Sequence, residues 1–395
     1  MKFSMKFTKK AAASLIAGIV TMSSAMTLAE PIPIRGVVEG FYGTPWTQEN
    51  RIDMLDFCGK QGFNAYIYAP KDDPYHRAKW REPYPKDKLS ELAELIRKAK
   101  SDNVKFIFAI SPGLDLHYDE AEQNAMIAKL QSMYDLGVRD FAIFFDDIEN
   151  KDGGAQAQFL NIIQDKFVNT YDDISPLITV PTEYYRLDMV DDTGRKPYTV
   201  NFLKTLSPEI IVLYTGEGVV QPELTDEQYK AANDIYVRNL GIWWNYPVND
   251  YMEDKLALGA IDNLPRHSNI PAIFFNPMKY EQLSKIALAT GADYANDPQN
   301  YNPDISWNKA IDEQFGDLAE AMKIFASYSQ HLENNWAKIG RPDAELPKSA
   351  NELKTLKKSL KRLQNKLPKN ILAECQPQLE GLEKRVDSAL KEVSR

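Results

Sequence analysis

Residues 141–150 read FAIFFDDIEN: five consecutive apolar side chains, then Asp146 and Asp147. A short apolar run of this kind reads as a buried strand. Neighbouring side chains on a strand point to opposite faces, so two adjacent charges at its close call for a reason beyond packing.

Similar runs flank it on both sides: IRGVVEGFY (34–42), NAYIYAP (64–70), VKFIFAIS (104–111), PLITVPTEY (176–184), EIIVLYTG (209–216), GIWWNYP (241–247) and PAIFFNP (271–277). Amphipathic stretches separate them. In PKDKLSELAELIRKAKSDN (85–103), Leu89, Leu92, Ile96 and Ala99 recur at spacings of three and four, which predicts a helix with one buried face. Thr225 is placed to cap a helix over DEQYKAANDIY. Strand and helix alternating through roughly eight units in about 250 residues is the pattern of an α/β fold of the (β/α)8 TIM-barrel type. An open doubly wound sheet is the competing arrangement.

The barrel is expected over residues 30–295 and a small C-terminal helical domain over 296–395. The latter part lacks β-type runs, and ANELKTLKKSLKRLQNKL (350–367) and ILAECQPQLEGLEKRVDSALKEV (371–393) read as two helices with apolar stripes. Their lysines fit a solvated helix face.

Residues 1–29 carry Lys2, Lys6, Lys9 and Lys10 ahead of AAASLIAGIV, with small residues following, the pattern of a secretory signal peptide cleaved after Ala25 or Ala29. Its apolar part is too short for a spanning helix, and a retained anchor is the alternative. Export to the periplasm or exterior is therefore expected, with no membrane partner beyond that segment and no accessory module ahead of the barrel. The chain of 395 residues has a formal net charge of −9, and losing four lysines makes it more acidic, which speaks against a nucleic-acid partner. Cys58 and Cys375 are read as small core residues rather than a disulfide framework.

In such a barrel the residues that end the strands share one rim. Here they are polar and aromatic: EGFYG (39–43), APKDD (69–73), FDDIE (145–149), PTEYY (181–185), YTG (214–216), WWNYPVNDY (243–251) and FFNP (274–277). Rings for sugar C–H faces, with amides and carboxylates for hydroxyls, suit a neutral carbohydrate. Past the strand end, Asp146 and Asp147 can both reach this rim and titrate as a coupled pair. One would then polarise while the other delivers a proton to a leaving oxygen. The alternatives are that the pair caps the next helix, or that Asp72, Asp73 and Glu149 join it around a hard cation. Lys71 beside such a cation would repel it, and no histidine pair stands at ligand spacing, so neither a metal nor a cofactor is expected. Lys71 is read as a rim residue rather than a surface lysine. Only one of Trp243 and Trp244 is expected to reach ligand, and Glu39 and Glu183 are weaker candidates for chemistry.

The stretches RGVVEGFYGTPW, YIYAPKDDPYHRAKWRE, AISPGLDL, FFDDIE, PTEYY, YTG followed by GVV, NDY and NPM occur in order across residues 34–290. In this combination the chain resembles glycoside hydrolase family 84, the β-N-acetylglucosaminidases that include the enzymes removing O-linked N-acetylglucosamine from proteins. The resemblance implies an exo-acting, retaining enzyme in which the substrate's own acetamido oxygen attacks the anomeric carbon, giving an oxazoline. It implies that Asp146 orients the acetamido N–H, that Asp147 is the acid and base, and that Tyr184 helps hold the acetamido group. Gly40, Phe41, Tyr42, Lys71, Thr215, Trp243, Asn245, Asp250, Tyr251 and Asn276 are the implied sugar-binding positions, with Trp243 the wall beside the acetamido methyl. The implied partner is a carbohydrate or glycoprotein with terminal β-linked N-acetylglucosamine. A non-catalytic carbohydrate-binding barrel, or a hydrolase of a polysaccharide such as hyaluronan, remains as an alternative. Two positions depart from the family pattern: Trp244 stands where Asp is common, and Tyr214 where Trp is common. Both are expected to alter the pocket wall or the leaving-group side.

Overall fold

The computed structural model describes residues 30–329 and 345–393. The expected signal peptide, residues 1–29, lies outside the described residues. Eight strands form the centre: β1 (Ile34–Glu39), β2 (Ala65–Tyr68), β3 (Lys105–Ile110), β4 (Asp140–Phe144), β5 (Ile178–Val180), β6 (Ile211–Tyr214), β7 (Gly241–Trp244) and β8 (Ala272–Phe275). They pair in chain order, every pair parallel, and β1 closes the ring against β8 with Val37 opposite Phe275. The sheet is therefore a closed barrel, and the open doubly wound alternative falls.

Two apolar cores follow from the pleat. Val38, Ile67, Ala69, Ala109, Ala142, Phe144, Val180, Leu213, Trp243 and Phe274 fill the barrel. Their chain neighbours, among them Val37, Tyr68, Ile110, Ile143, Phe145, Tyr214, Trp244 and Phe275, face the helices. Nearly every strand residue is buried on one side or the other, so the strands read as continuous apolar runs.

The helix after β2 spans Lys86–Ser101 and buries Leu92, Leu95, Ile96 and Ala99, with Leu89 half-buried at its edge. Thr225 caps Asp226–Tyr236 and Gln228 completes a capping box. After β8 the chain is helical: Glu281–Asn296, Pro303–Phe315, Ala319–Ser329, Ala350–Lys366 and Lys369–Val393. The last two pack through Leu353, Leu356, Leu360 and Leu363 against Ile371, Cys375, Leu379, Leu382 and Val386. Glu374 ties this hairpin to the barrel, accepting the N–H groups of Gln282 (3.0 Å) and Leu283 (2.8 Å) in the first turn of Glu281–Asn296. Cys58 and Cys375 are both buried and unbridged.

Candidate active site

A cavity of about 340 Å³ opens where the strands end, and all but one of the site residues read from the sequence line it. The strand alternation explains most of the set. Gly40 and Tyr42 continue the inward phase of Val38, Lys71 that of Ala69, Thr215 that of Leu213, Asn245 that of Trp243 and Asn276 that of Phe274. Phe41 is the exception and a correction: it falls out of phase, is 2% exposed, and packs on Trp46 with ring centroids 5.5 Å apart. It belongs to the core outside the barrel rather than to the sugar-binding wall.

Asp146 continues the inward phase of Ala142 and Phe144 and is buried. Its Oδ2 is paired with the ammonium of buried Lys71. Burial works to raise this carboxyl, but the Lys71 charge and hydrogen bond outweigh it and hold the group below the usual carboxylate range. Among the described residues Asp146 Oδ1 has no hydrogen-bond partner, and neither has Asn276 Oδ1. A buried charged oxygen in that condition is costly, which marks it as an acceptor held ready for a donor outside the chain.

Asp147 reaches the same cavity by a different route. The pleat would send it outward, yet its φ of 54° turns the chain through the left-handed region and brings the carboxylate to the mouth. There Tyr184 donates to Oδ1 at 2.8 Å and Tyr42 donates to Oδ2 at 2.7 Å. Burial, followed by the Asp147 charge, pushes both phenols well above their ordinary range, so both stay donors. The pair does not cap a helix: Gly153–Lys166 is capped by Asp152, whose Oδ1 takes the Ala155 N–H at 2.9 Å.

The far wall is a hydrogen-bonded set of amides. Asn245 Oδ1 accepts from Trp243 Nε1 (2.8 Å) and Asn276 Nδ2 (3.0 Å), while Asn245 Nδ2 donates to the Val219 carbonyl at 2.9 Å. Asp250 Oδ2 receives the Tyr42 N–H at 2.8 Å, and burial raises its carboxyl against that bond. Thr215 and Tyr251 complete the lining, together with Val180, Val219, Val220 and Val248, which the sequence reading did not single out. Val219 and Val220 sit in the GVV of a quoted motif, so position in the motif was the available signal.

Other candidates are spent elsewhere. Glu39 accepts two bonds from Arg51 at 2.8 Å each and one from Tyr66, fully buried. Glu183 accepts from Thr199 at 2.8 Å. Asp73 takes the Tyr68 and Tyr84 hydroxyls at 2.9 Å, while Asp72 and Glu149 are exposed. Among the described residues no group of three or more His, Cys, Asp or Glu is placed to hold a metal ion. Of the two tryptophans, Trp243 lines the cavity and Trp244 faces the helices. Tyr214 also faces outward and is fully buried, so neither departing residue forms the pocket wall, a second correction.

Fold and cavity together define a (β/α)8 barrel with a polar, aromatic pocket on its C-terminal rim. The beta-N-acetylglucosaminidase family matches residues 35–327. The protein O-GlcNAcases of Mus musculus and Rattus norvegicus are each 32% identical over 272 residues, covering 66% of this chain and 29% of theirs. The chain thus spans under a third of the length of these relatives. Among solved structures, CpGH84B superposes with a TM-score of 0.85 at 40% identity, over 92% of this chain and 69% of its own. An O-GlcNAc hydrolase variant from Thermobaculum terrenum gives 0.80 at 31% identity, over 91% and 83%. This chain belongs to the β-N-acetylglucosaminidases of glycoside hydrolase family 84.

Proposed function

We propose that the protein is an exo-acting, retaining β-N-acetylglucosaminidase that uses the substrate's acetamido group as nucleophile. The observation that carries this is the division of labour at β4: Asp146 Oδ2 is held by Lys71 while its buried Oδ1 has no partner among the described residues. That arrangement supplies an ionised acceptor for an acetamido N–H, which raises the nucleophilicity of the amide oxygen. Asp147 stands beside it at the mouth, with both oxygens on exchangeable phenol donors.

In this reading the acetamido oxygen attacks the anomeric carbon as the glycosidic C–O bond breaks, and Asp147 passes its proton to the leaving oxygen. The oxazoline is then opened by a water that gives its proton to Asp147, restoring the configuration. Tyr184 steadies the acetamido group; Lys71, Asn245, Asp250 and Asn276 take the sugar hydroxyls, and Trp243 walls the methyl. A cavity of about 340 Å³ suits a single ring, which supports exo action, and the likeness to the O-GlcNAcases and to an O-GlcNAc hydrolase supports N-acetylglucosamine as the sugar. Export rests on the signal segment alone, and the N-terminal residue of the mature protein tests it.

Asp147→Ala should slow glycosides with poor leaving groups far more than activated aryl glycosides, and Asp146→Ala should slow both. A thiazoline mimic of the oxazoline should inhibit strongly. Full activity in its presence would sink the substrate-assisted route.

A further inference from the structure

Arg77 is not among the residues that line the cavity, yet it meets the machinery twice. Its Nη2 donates to the main-chain carbonyl of Asp147 at 3.1 Å, and its Nη1 donates to the Tyr42 phenol oxygen at 3.0 Å. That phenol donates in turn to Asp147 Oδ2 at 2.7 Å, and the guanidinium lies over the Tyr42 ring, 5.7 Å from its centroid. One cation thus grips Asp147 from its main chain directly and from its side chain through a phenol.

The backbone of Asp147 is what makes such a grip useful. A φ of 54° is strained for a residue with a Cβ, and without that turn the carboxylate would point away from the cavity. The bond to the carbonyl fixes the turn, and the phenol fixes the rotamer. Arg77 is itself set in advance by the segment that carries it. His76 Nδ1 bonds the Ala109 carbonyl at 2.7 Å, and the His76 carbonyl takes the Ser111 N–H at 2.9 Å, which fastens the segment to the end of β3. Burial and then the Lys71 charge push the His76 ring down to about 4, so it remains a neutral staple near pH 7.

We propose that Arg77 is a positioning residue for the reaction: by bridging the Asp147 carbonyl and the Tyr42 phenol, it holds the acid in the left-handed turn that aims it at the leaving oxygen. This rests on the role assigned to Asp147 above. Arg77 does not line the cavity, so its removal acts on proton delivery rather than on sugar binding.

The test compares Arg77→Gln, Arg77→Lys, Tyr42→Phe and the double variant Arg77→Gln/Tyr42→Phe with Asp147→Ala, on aryl N-acetyl-β-glucosaminides of graded leaving-group ability. Arg77→Gln should lose roughly ten- to a hundredfold in kcat on the poorest leaving group and about threefold or less on the best, with KM little changed. Arg77→Lys should recover part of the loss, and the double variant should lose less than the product of the two single losses, because Arg77 also holds the phenol that fixes the rotamer. Equal losses on all leaving groups, or full additivity with Tyr42→Phe, would overturn the assignment. Should Arg77→Gln fail to fold, Arg77→Lys alone reads the grip: a loss confined to poor leaving groups supports it, and a uniform loss or none overturns it. If Asp147→Ala is itself blind to the leaving group, the functional reading has failed. If Asp147→Ala is selective and Arg77→Gln is not, only the role of Arg77 falls.

Discussion

Adding one methyl group at Gly40 tests whether the cavity is as tightly built as its geometry implies. A Cβ at this position would stand 2.4 Å from Trp243 Cζ2 and 2.6 Å from Cη2, about 1 Å inside ordinary contact. The indole has little room to retreat. Its Nε1 is bonded to Asn245 Oδ1 at 2.8 Å, Phe144 meets its ring edge-on at 5.5 Å, and it is 5% exposed. The open direction is into the cavity, where the ring would displace the sugar and strain the Asn245–Asn276 amides. Overpacking of this kind costs about 1–3 kcal/mol of stability, and misplacing a binding wall by about 1 Å lowers rates by about a hundredfold. Gly40→Ala is therefore expected to lower both Tm and kcat/KM on an aryl N-acetyl-β-glucosaminide. Gly218→Ala, whose added Cβ meets nothing nearer than the Val220 carbonyl at 3.9 Å, should be close to neutral in both. Trp243→Phe, which removes the clashing half of the indole, should restore the Tm of Gly40→Ala. Wild-type kinetics in Gly40→Ala would refute the claim that this wall is rigid.

Lys71→Met leaves burial to act on Asp146 without the opposing ammonium, so its carboxyl should rise and the acid limb of the kcat/KM profile should move to higher pH. Breaking such a pair from one side costs about 3–5 kcal/mol; an unmoved acid limb on an activated substrate would contradict the pairing. Burial pushes the Glu374 carboxyl up to about 7 from an ordinary 4.5, so the native state binds the extra proton and stability falls as pH rises between those values. At about 1.4 kcal/mol per pH unit the loss is about 3 kcal/mol. Glu374→Gln should flatten that slope, read as the difference in Tm between pH 5 and pH 8. Trp244→Phe should lower stability while leaving the relative rates on different aglycones unchanged, because the ring faces the helices; a change in aglycone preference would place its influence in the pocket after all.

The strand phase was the most legible layer. Once FAIFF is read as a strand with Ala142 and Phe144 inward, Asp146 follows, and the same count carries Gly40, Lys71, Thr215, Asn245 and Asn276 to the cavity. Applied strictly, that count also rejects Phe41 and places Trp244 and Tyr214 on the helix side. Phe41 shows that neighbours in a motif need not be neighbours in space, whereas the same alternation lets only one of Trp243 and Trp244 reach the cavity. Asp147 is the reverse case: the count sends it outward, and only its φ of 54° brings it back. No residue pattern at 146–149 announces that turn, since Asp is merely more tolerant of it than most side chains. Arg77 was illegible for a related reason. Its two contacts span 35 residues to Tyr42 and 70 to Asp147, and the segment that carries it is fastened to β3 through His76. Periodicity therefore locates Asp146, whereas the placement of Asp147 depends on one left-handed peptide and the guanidinium bonded to its carbonyl.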